Sequence, residues 1–190
     1  MGNNILSKSG ASRRRFLFAL TGVVAAAPVY ASAAGLLRGA GDIRRLRLYA
    51  DRTGEMVDTI YWIDGDYIPE ALAEIDHVMR DWRSGSVKQI DIRTINIMAA
   101  THAITDASEP YVLLSGYRTA KTNAMLRRYS RNVARNSLHI KGQAADLRLA
   151  SRSVKQLAQA ARSCRAGGVG TYYRSNFVHM DCGDIRAWGG

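Results

Sequence analysis

Cysteine is scarce: Cys164 and Cys182 are the only two in a chain of 190 residues. That excludes a disulfide-built scaffold and a four-cysteine zinc knuckle, and neither cysteine stands in a CxxC pair. Beyond the N-terminal segment no stretch is long and apolar enough to span a bilayer, and no internal repeat is present. Acids are outnumbered, 16 against 27 lysines and arginines, for a formal net charge of +11. This balance favours anionic partners, although charge alone does not separate nucleic acid, an acidic polymer and a plain basic surface. Any catalysis must fall to His, Asp, Glu, Ser, Arg or a metal held by them.

Hydrophobic residues make up 47% of the chain, enough for one domain with a real core. The first 31 residues carry Lys8, Arg13, Arg14 and Arg15 and no acid, and subtracting those four charges leaves +7. Ser12-Arg13-Arg14-Arg15-Phe16-Leu17 leads into an Ala- and Gly-rich apolar run from Phe16 to about Leu37. Paired arginines, a moderately apolar run and then small residues form the pattern of a twin-arginine export signal. Cleavage is expected after Ala31 or Ala33. So weakly apolar a run makes a poor permanent span, and export is expected over a retained anchor. Residues 1–33 are therefore read as the signal, 34–42 as a Gly-rich linker and 43–190 as the folded domain. The expected location is the periplasm, and the twin-arginine route suits an enzyme that acquires a metal before it leaves.

Within the domain, Arg45–Asp51 alternates as a strand, Thr53-Gly54 makes a turn and Met56–Ile63 reads as the second strand of a hairpin. Pro69 stands at the start of a helix that carries Ala71, Leu72, Ile75, Val78 and Met79 at helical spacing. Asp91 is placed to cap a helix containing Ile92, Ile95, Ile97, Met98 and Ile104. Tyr111–Ser115 is a short strand, Thr119–Tyr129 a helix, Gln143–Leu149 a strand, Ser153–Arg165 a helix, and Val169–Cys182 strand, loop and strand. The order predicts a single α+β domain: a central, mostly antiparallel sheet flanked by helices.

Three segments concentrate reactive side chains: Ser115-Gly116-Tyr117-Arg118, Ser137–Asp146 and Asn176–Asp181. A catalytic zinc takes three protein ligands and keeps a fourth position open. His139 and Asp146 flank Gly142, where a turn can bring both side chains to one point, and His179 would arrive from a neighbouring strand. By itself this pattern is weak, because a single His is more often a hydrogen-bonded core or surface residue. His77 and His102 lie in apolar helical patterns without metal-like neighbours and are read that way.

Order and context add to the spacing. Ser115-Gly-Tyr-Arg118, Asn136-Ser-Leu-His139 with Gly142, Ala144 and Asp146, then Val169-Gly170, Arg174-Ser-Asn-Phe-Val-His179-Met-Asp181 and Trp188-Gly-Gly190 resemble the zinc-dependent murein peptidases. That superfamily takes in D-Ala–D-Ala carboxypeptidases, endolysins and hedgehog-like domains, and within it the chain looks most like the YcbK/MepK-type murein endopeptidases. The resemblance implies a Zn²⁺ site of His139, Asp146 and His179 in a cleft on the sheet. It also implies that Arg118 and Ser137 contact substrate. Arg118 suits stabilisation of an oxyanion, and Asn136 and Tyr117 are candidates to line the cleft. Where many relatives carry a Glu, Asp or His near the third ligand, commonly three residues before it, this chain has Asn176. Asp181, two residues past His179 and on the same strand face, is then the catalytic candidate, either beside the zinc water or orienting a ligand. The implied partner is the peptidoglycan stem peptide, with no nucleic acid, no retained membrane span and a monomeric state. Trimming of a terminal D-Ala and non-catalytic wall binding are the alternatives. Pairing of Cys164 with Cys182 is permitted by the compartment and undecided by sequence.

Overall fold

The computed structural model describes residues 43–189, so the signal and linker expectations lie outside the described residues. Strands β1 (Ile43–Ala50) and β2 (Met56–Ile63) form the expected antiparallel hairpin. Gly54, at φ 73°, turns the chain between them. Leu46 and Leu48 on β1, with Val57 and Tyr61 on β2, point into the core. A two-residue strand, β3 (Asp66–Tyr67), leads to helix α1 (Pro69–Val78), whose first-turn proline needs no N–H partner. Helix α2 (Ile92–Thr105) starts where the Asp91 side chain accepts from the Arg93 N–H.

Strand β4 (Tyr111–Ser115) precedes helix α3 (Ala120–Tyr129), capped by Thr119. Strand β5 (Ala144–Arg148) precedes helix α4 (Val154–Ser163), which opens with a capping box of Ser153 and Gln156. Strands β6 (Gly168–Tyr172), β7 (Phe177–Asp181) and β8 (Arg186–Gly189) complete the chain. All eight strands belong to one sheet in the order β3-β2-β1-β4-β5-β7-β6-β8. Only β1–β4 and β6–β8 pair in parallel, so the α+β expectation of a mostly antiparallel sheet is met. The two short strands β3 and β8 are additions to the sequence reading.

Alternation along β5 and β7 assigns the two faces of the sheet. Ala145, Leu147, Val178 and Met180 enter the core, beside Leu157, Ala158 and Ala161 of α4 and Ile95 and Met98 of α2. Helices α2 and α4 pack on each other and against β7. Leu147 and Met180 have no exposed surface, and burial of each contributes about 1.5–3 kcal/mol. With period 2, their neighbours Asp146, His179 and Asp181 take the opposite face. Cys164 and Cys182 are both buried and unpaired. No helix among the described residues is long and apolar enough to cross a membrane.

Candidate metal centre

The site is a row across the sheet. Ser115 on β4 stands opposite Asp146 on β5, Asp146 opposite His179 on β7, His179 opposite Gly170 on β6, and Gly170 opposite Trp188 on β8. Directly opposed residues share a face, so their side chains meet. Gly170 is required in this row: a Cβ there would lie 2.6 Å from the Trp188 indole. The indole sits instead beside the His179 ring, centroids 5.3 Å apart, and donates its N–H to the Tyr172 hydroxyl at 3.0 Å.

His139 reaches the row from a single 3₁₀ turn, Leu138–Lys141, just before β5. The Ser137 side chain caps that turn by accepting from the His139 N–H at 3.3 Å. Gly142 ends it in the left-handed region, φ 72°. A Cβ at Gly142 would also lie 2.7 Å from the Gln89 carbonyl, so glycine is needed twice over.

His139 Nε2, His179 Nδ1 and Asp146 Oδ1 converge, with pairwise separations of 3.2, 3.2 and 2.9 Å. Among the described residues this is the one group of His, Cys, Asp and Glu ligand atoms that gathers closely enough to hold an ion. The opposite nitrogen of each ring faces an acceptor. His139 Nδ1 donates to the Gly116 carbonyl at 2.6 Å, and His179 Nε2 donates to Asp181 Oδ2 at 2.9 Å. With both rings neutral, two nitrogen lone pairs and a carboxylate oxygen then face one another, a donor set suited to a cation. Tetrahedral ligands held about 2.0–2.1 Å from zinc stand roughly 3.3 Å apart, close to the observed spacings. The residues present therefore fit a zinc ion.

Around the three ligand groups, each contact has a local function. Arg118 grips Asp146 Oδ2 with Nη2 and reaches Ser115 Oγ with Nε at 2.7 Å, leaving Asp146 Oδ1 turned inward. Asp181 has no exposed side-chain surface. Its Oδ1 accepts from the Gly168 and Gly183 N–H groups and from Arg186, and its Oδ2 from His179 and Arg186. Burial alone would raise the Asp181 pKa, but hydrogen bonds from His179, Arg186 and Gly183 outweigh it and bring the carboxyl to about 2. Burial would likewise lower His179, and hydrogen bonds to Asp146 and Asp181 reverse this and lift it to about 9. Burial dominates His139 and pushes its pKa down against the opposing pull of Asp146. For Asp146, burial opposes ionisation, and His139, His179 and Arg118 together hold the carboxyl well below its usual range.

The triad opens into a cleft of about 410 Å³ whose lining includes Asn136, Ser137, Tyr172, Phe177 and Trp188. Among the described residues, Asp146 and Asp181 are the carboxylates lining it. Two further depressions adjoin it. One shares Asn132, Tyr172, Ser175 and Trp188 with the cleft, the other shares Leu138 and Arg186, and the two have no lining residue in common.

Of the residues singled out from sequence, His139, Asp146, His179, Arg118, Asp181, Asn136 and Ser137 come together here. Tyr117 does not line this cleft; it packs against the core, with Lys88 5.9 Å from its ring. Asn176 is exposed in the left-handed region at φ 50°, ending a 3₁₀ turn ahead of β7, a position asparagine tolerates better than glutamate. His77 lies on the surface 3.4 Å from Glu55, and His102 bonds the Glu109 carbonyl, both away from the triad. Arg186 and Tyr172 are participants that sequence reasoning missed. Period 2 from His179 leads to Asp181, but nothing in the sequence signals that the chain returns Arg186 to it.

Residues 38–188 match the family described as peptidoglycan L,D-endopeptidase MepK, Peptidase_M15_2. The chain belongs to this family. It is 38% identical over 183 residues to peptidoglycan L,D-endopeptidase MepK of Escherichia coli K12, covering 96% of this chain and all of that protein. The Shigella flexneri protein of the same name matches to the same extent. A probable peptidoglycan L,D-endopeptidase MepK of Haemophilus influenzae is 38% identical over 139 residues, or 73% of this chain and 75% of that protein. The family assignment agrees with the resemblance carried by the SGYR, SLHIKGQAAD and FVHMD segments.

Proposed function

We propose that this protein is a zinc-dependent murein endopeptidase that hydrolyses L,D peptide crosslinks of peptidoglycan. The observation that carries the reading is the convergence of His139 Nε2, His179 Nδ1 and Asp146 Oδ1 at the floor of a cleft, in a member of this family. These three atoms would hold the ion. When bound, zinc supplies Lewis acidity and lowers the pKa of water toward neutrality.

The chain's own residues do the rest. Gly116 and Asp181 fix the tautomer and aim of the two rings through their outer nitrogens. Arg118 holds Asp146 in place and itself lines the cleft, where its guanidinium can stabilise a developing oxyanion. Ser137 and Asn136 offer polar contacts to the substrate backbone from the cleft wall. Asp181 has no exposed side-chain surface and both its oxygens are engaged by protein donors, so it acts through His179 as a positioning residue. Continuation of the cleft into two depressions that share no lining residue favours an endopeptidase, which must admit chain beyond both sides of the scissile bond, over trimming of a terminal residue.

The same reading places the enzyme in the periplasm after twin-arginine export, on the strength of Ser12-Arg13-Arg14-Arg15-Phe16-Leu17. The test is digestion of purified crosslinked muropeptides of defined bond type, with products identified by mass. Single-stem products from the L,D-linked dimer, lost on chelation and restored by zinc, are expected. Protein that binds sacculi yet releases no product with zinc present would establish a binding module instead.

A further inference from the structure

Arg186 links the metal centre to a second surface feature. Its side chain is 44% exposed. Nη1 and Nη2 bond Asp181 Oδ1 and Oδ2 at 3.1 and 2.7 Å, and Nη1 also bonds the Asp184 carbonyl at 2.9 Å. The guanidinium lies 4.9 Å from the Trp188 ring centroid. These contacts fix its plane and use three of the five N–H donors of an arginine. Nε–H and one Nη2–H have no protein acceptor among the described residues. Arg186 lines the catalytic cleft and also the adjoining depression, whose other charged residues are Arg93, Lys141 and Asp184. Arg93 is paired with Asp91 at 2.6 Å. Cations outnumber the single acid, and among the described residues the carboxylate paired with Arg186 is the buried Asp181.

A guanidinium held rigid by a buried acid, with donors to spare beside a hydrolytic centre, is built to receive an anion. In an L,D crosslink the scissile nitrogen belongs to a D-configured centre that also bears a free carboxylate. That anion sits next to the bond being cut. We propose that Arg186, with Lys141 in the adjoining depression, forms a subsite that reads this carboxylate and places the amine side of the crosslink over Leu138. The subsite rests on the endopeptidase reading and adds the recognition of one charge. Arg186 thus has two roles, holding Asp181 behind His179 and meeting substrate in front.

The test compares two crosslinked muropeptide dimers that differ only in that carboxyl, free in one and a primary amide in the other. The wild-type enzyme loaded with zinc cuts the free-acid dimer with a kcat/KM roughly tenfold or more above that of the amide, the scale of one charge-assisted contact. Arg186→Gln and Lys141→Gln each shrink that ratio, mainly through KM on the free acid, and Arg186→Lys restores part of it. Lys141→Gln touches neither the triad nor Asp181, so it keeps the test sharp if Arg186→Gln loses zinc, which metal content measures directly. Equal cutting of both dimers by the wild type, or an unchanged ratio in Lys141→Gln and in zinc-loaded Arg186→Gln, overturns the subsite. Cutting of neither dimer by zinc-loaded wild type overturns the peptidase reading beneath it.

Discussion

Asp181 Oδ2 lies 2.9 Å from His179 Nε2, on the far side of the ring from Asp146. One imidazole is therefore held between two carboxylates, one facing the metal position and one behind it. Only the front nitrogen is left to bind an ion. Replacement of Asp181 by Asn keeps the shape but removes the charge behind the ring. Asp181→Asn is expected to weaken zinc binding and turnover by about 10–100-fold with the fold intact, the usual scale for such supporting contacts. Competition with a chromophoric chelator, alongside circular dichroism, checks this. Full zinc affinity in the variant would remove the orienting role.

His139→Ala and His179→Ala are expected to abolish muropeptide turnover, because each removes one of the three converging atoms. His77→Ala, whose ring lies on the surface beside Glu55, is expected to leave turnover at the wild-type rate. Product release measured for the three proteins side by side decides the matter.

Arg118 spans Ser115 Oγ and Asp146 Oδ2 with two different nitrogens. Lysine carries the charge but cannot make that fork. Arg118→Lys is therefore expected to lower kcat/KM by at least tenfold, with no rescue by excess zinc. Kinetics across a zinc titration separate this from simple metal loss.

Stability of the chelator-treated protein should fall with rising pH. His179 is raised from 6.5 to about 9, so its protonated form favours the folded state. That contribution is complete below pH 6.5 and disappears as pH rises through about 9. Thermal melts between pH 6 and 10 should show the decline, and Asp181→Asn should flatten it. Zinc needs the neutral ring, so metal uptake below about pH 9 should release a proton from His179. Calorimetry in buffers of different ionisation enthalpy reads that proton.

Gly142 holds the left-handed turn between His139 and β5 at φ 72°. Alanine there adds about 1–2 kcal/mol of backbone strain and presses a methyl toward the Gln89 carbonyl 2.7 Å away. Gly142→Ala should lower Tm by at least 2–8 °C, taking about 2–4 °C per kcal/mol for a chain of this size. A melting temperature equal to wild type would show that the turn relaxes without cost.

Much of the framework follows from local rules that act within a few residues. Pro69, Asp91, Thr119 and Ser153 start helices where proline and capping side chains dictate. Period 2 along β5 and β7 already assigns Leu147 and Met180 to the core and Asp146, His179 and Asp181 to the other face. The same alternation puts Asp146 and His179 side by side, and the family pattern added His139, which reaches them from a 3₁₀ turn. Tertiary structure alone decided which nitrogen of each ring points inward, since that depends on the Gly116 carbonyl, just past β4, meeting His139, and on the Asp181 carboxylate being turned toward His179 by its other partners. It also turned Tyr117 toward the core, buried the Asp181 carboxylate and brought Arg186 back across a turn to hold it. Capping and alternation are short-range steric and hydrogen-bonding effects, written in neighbouring residues. Orientation at the centre depends on the register of β4, β5, β7, β6 and β8, which only the packed sheet fixes.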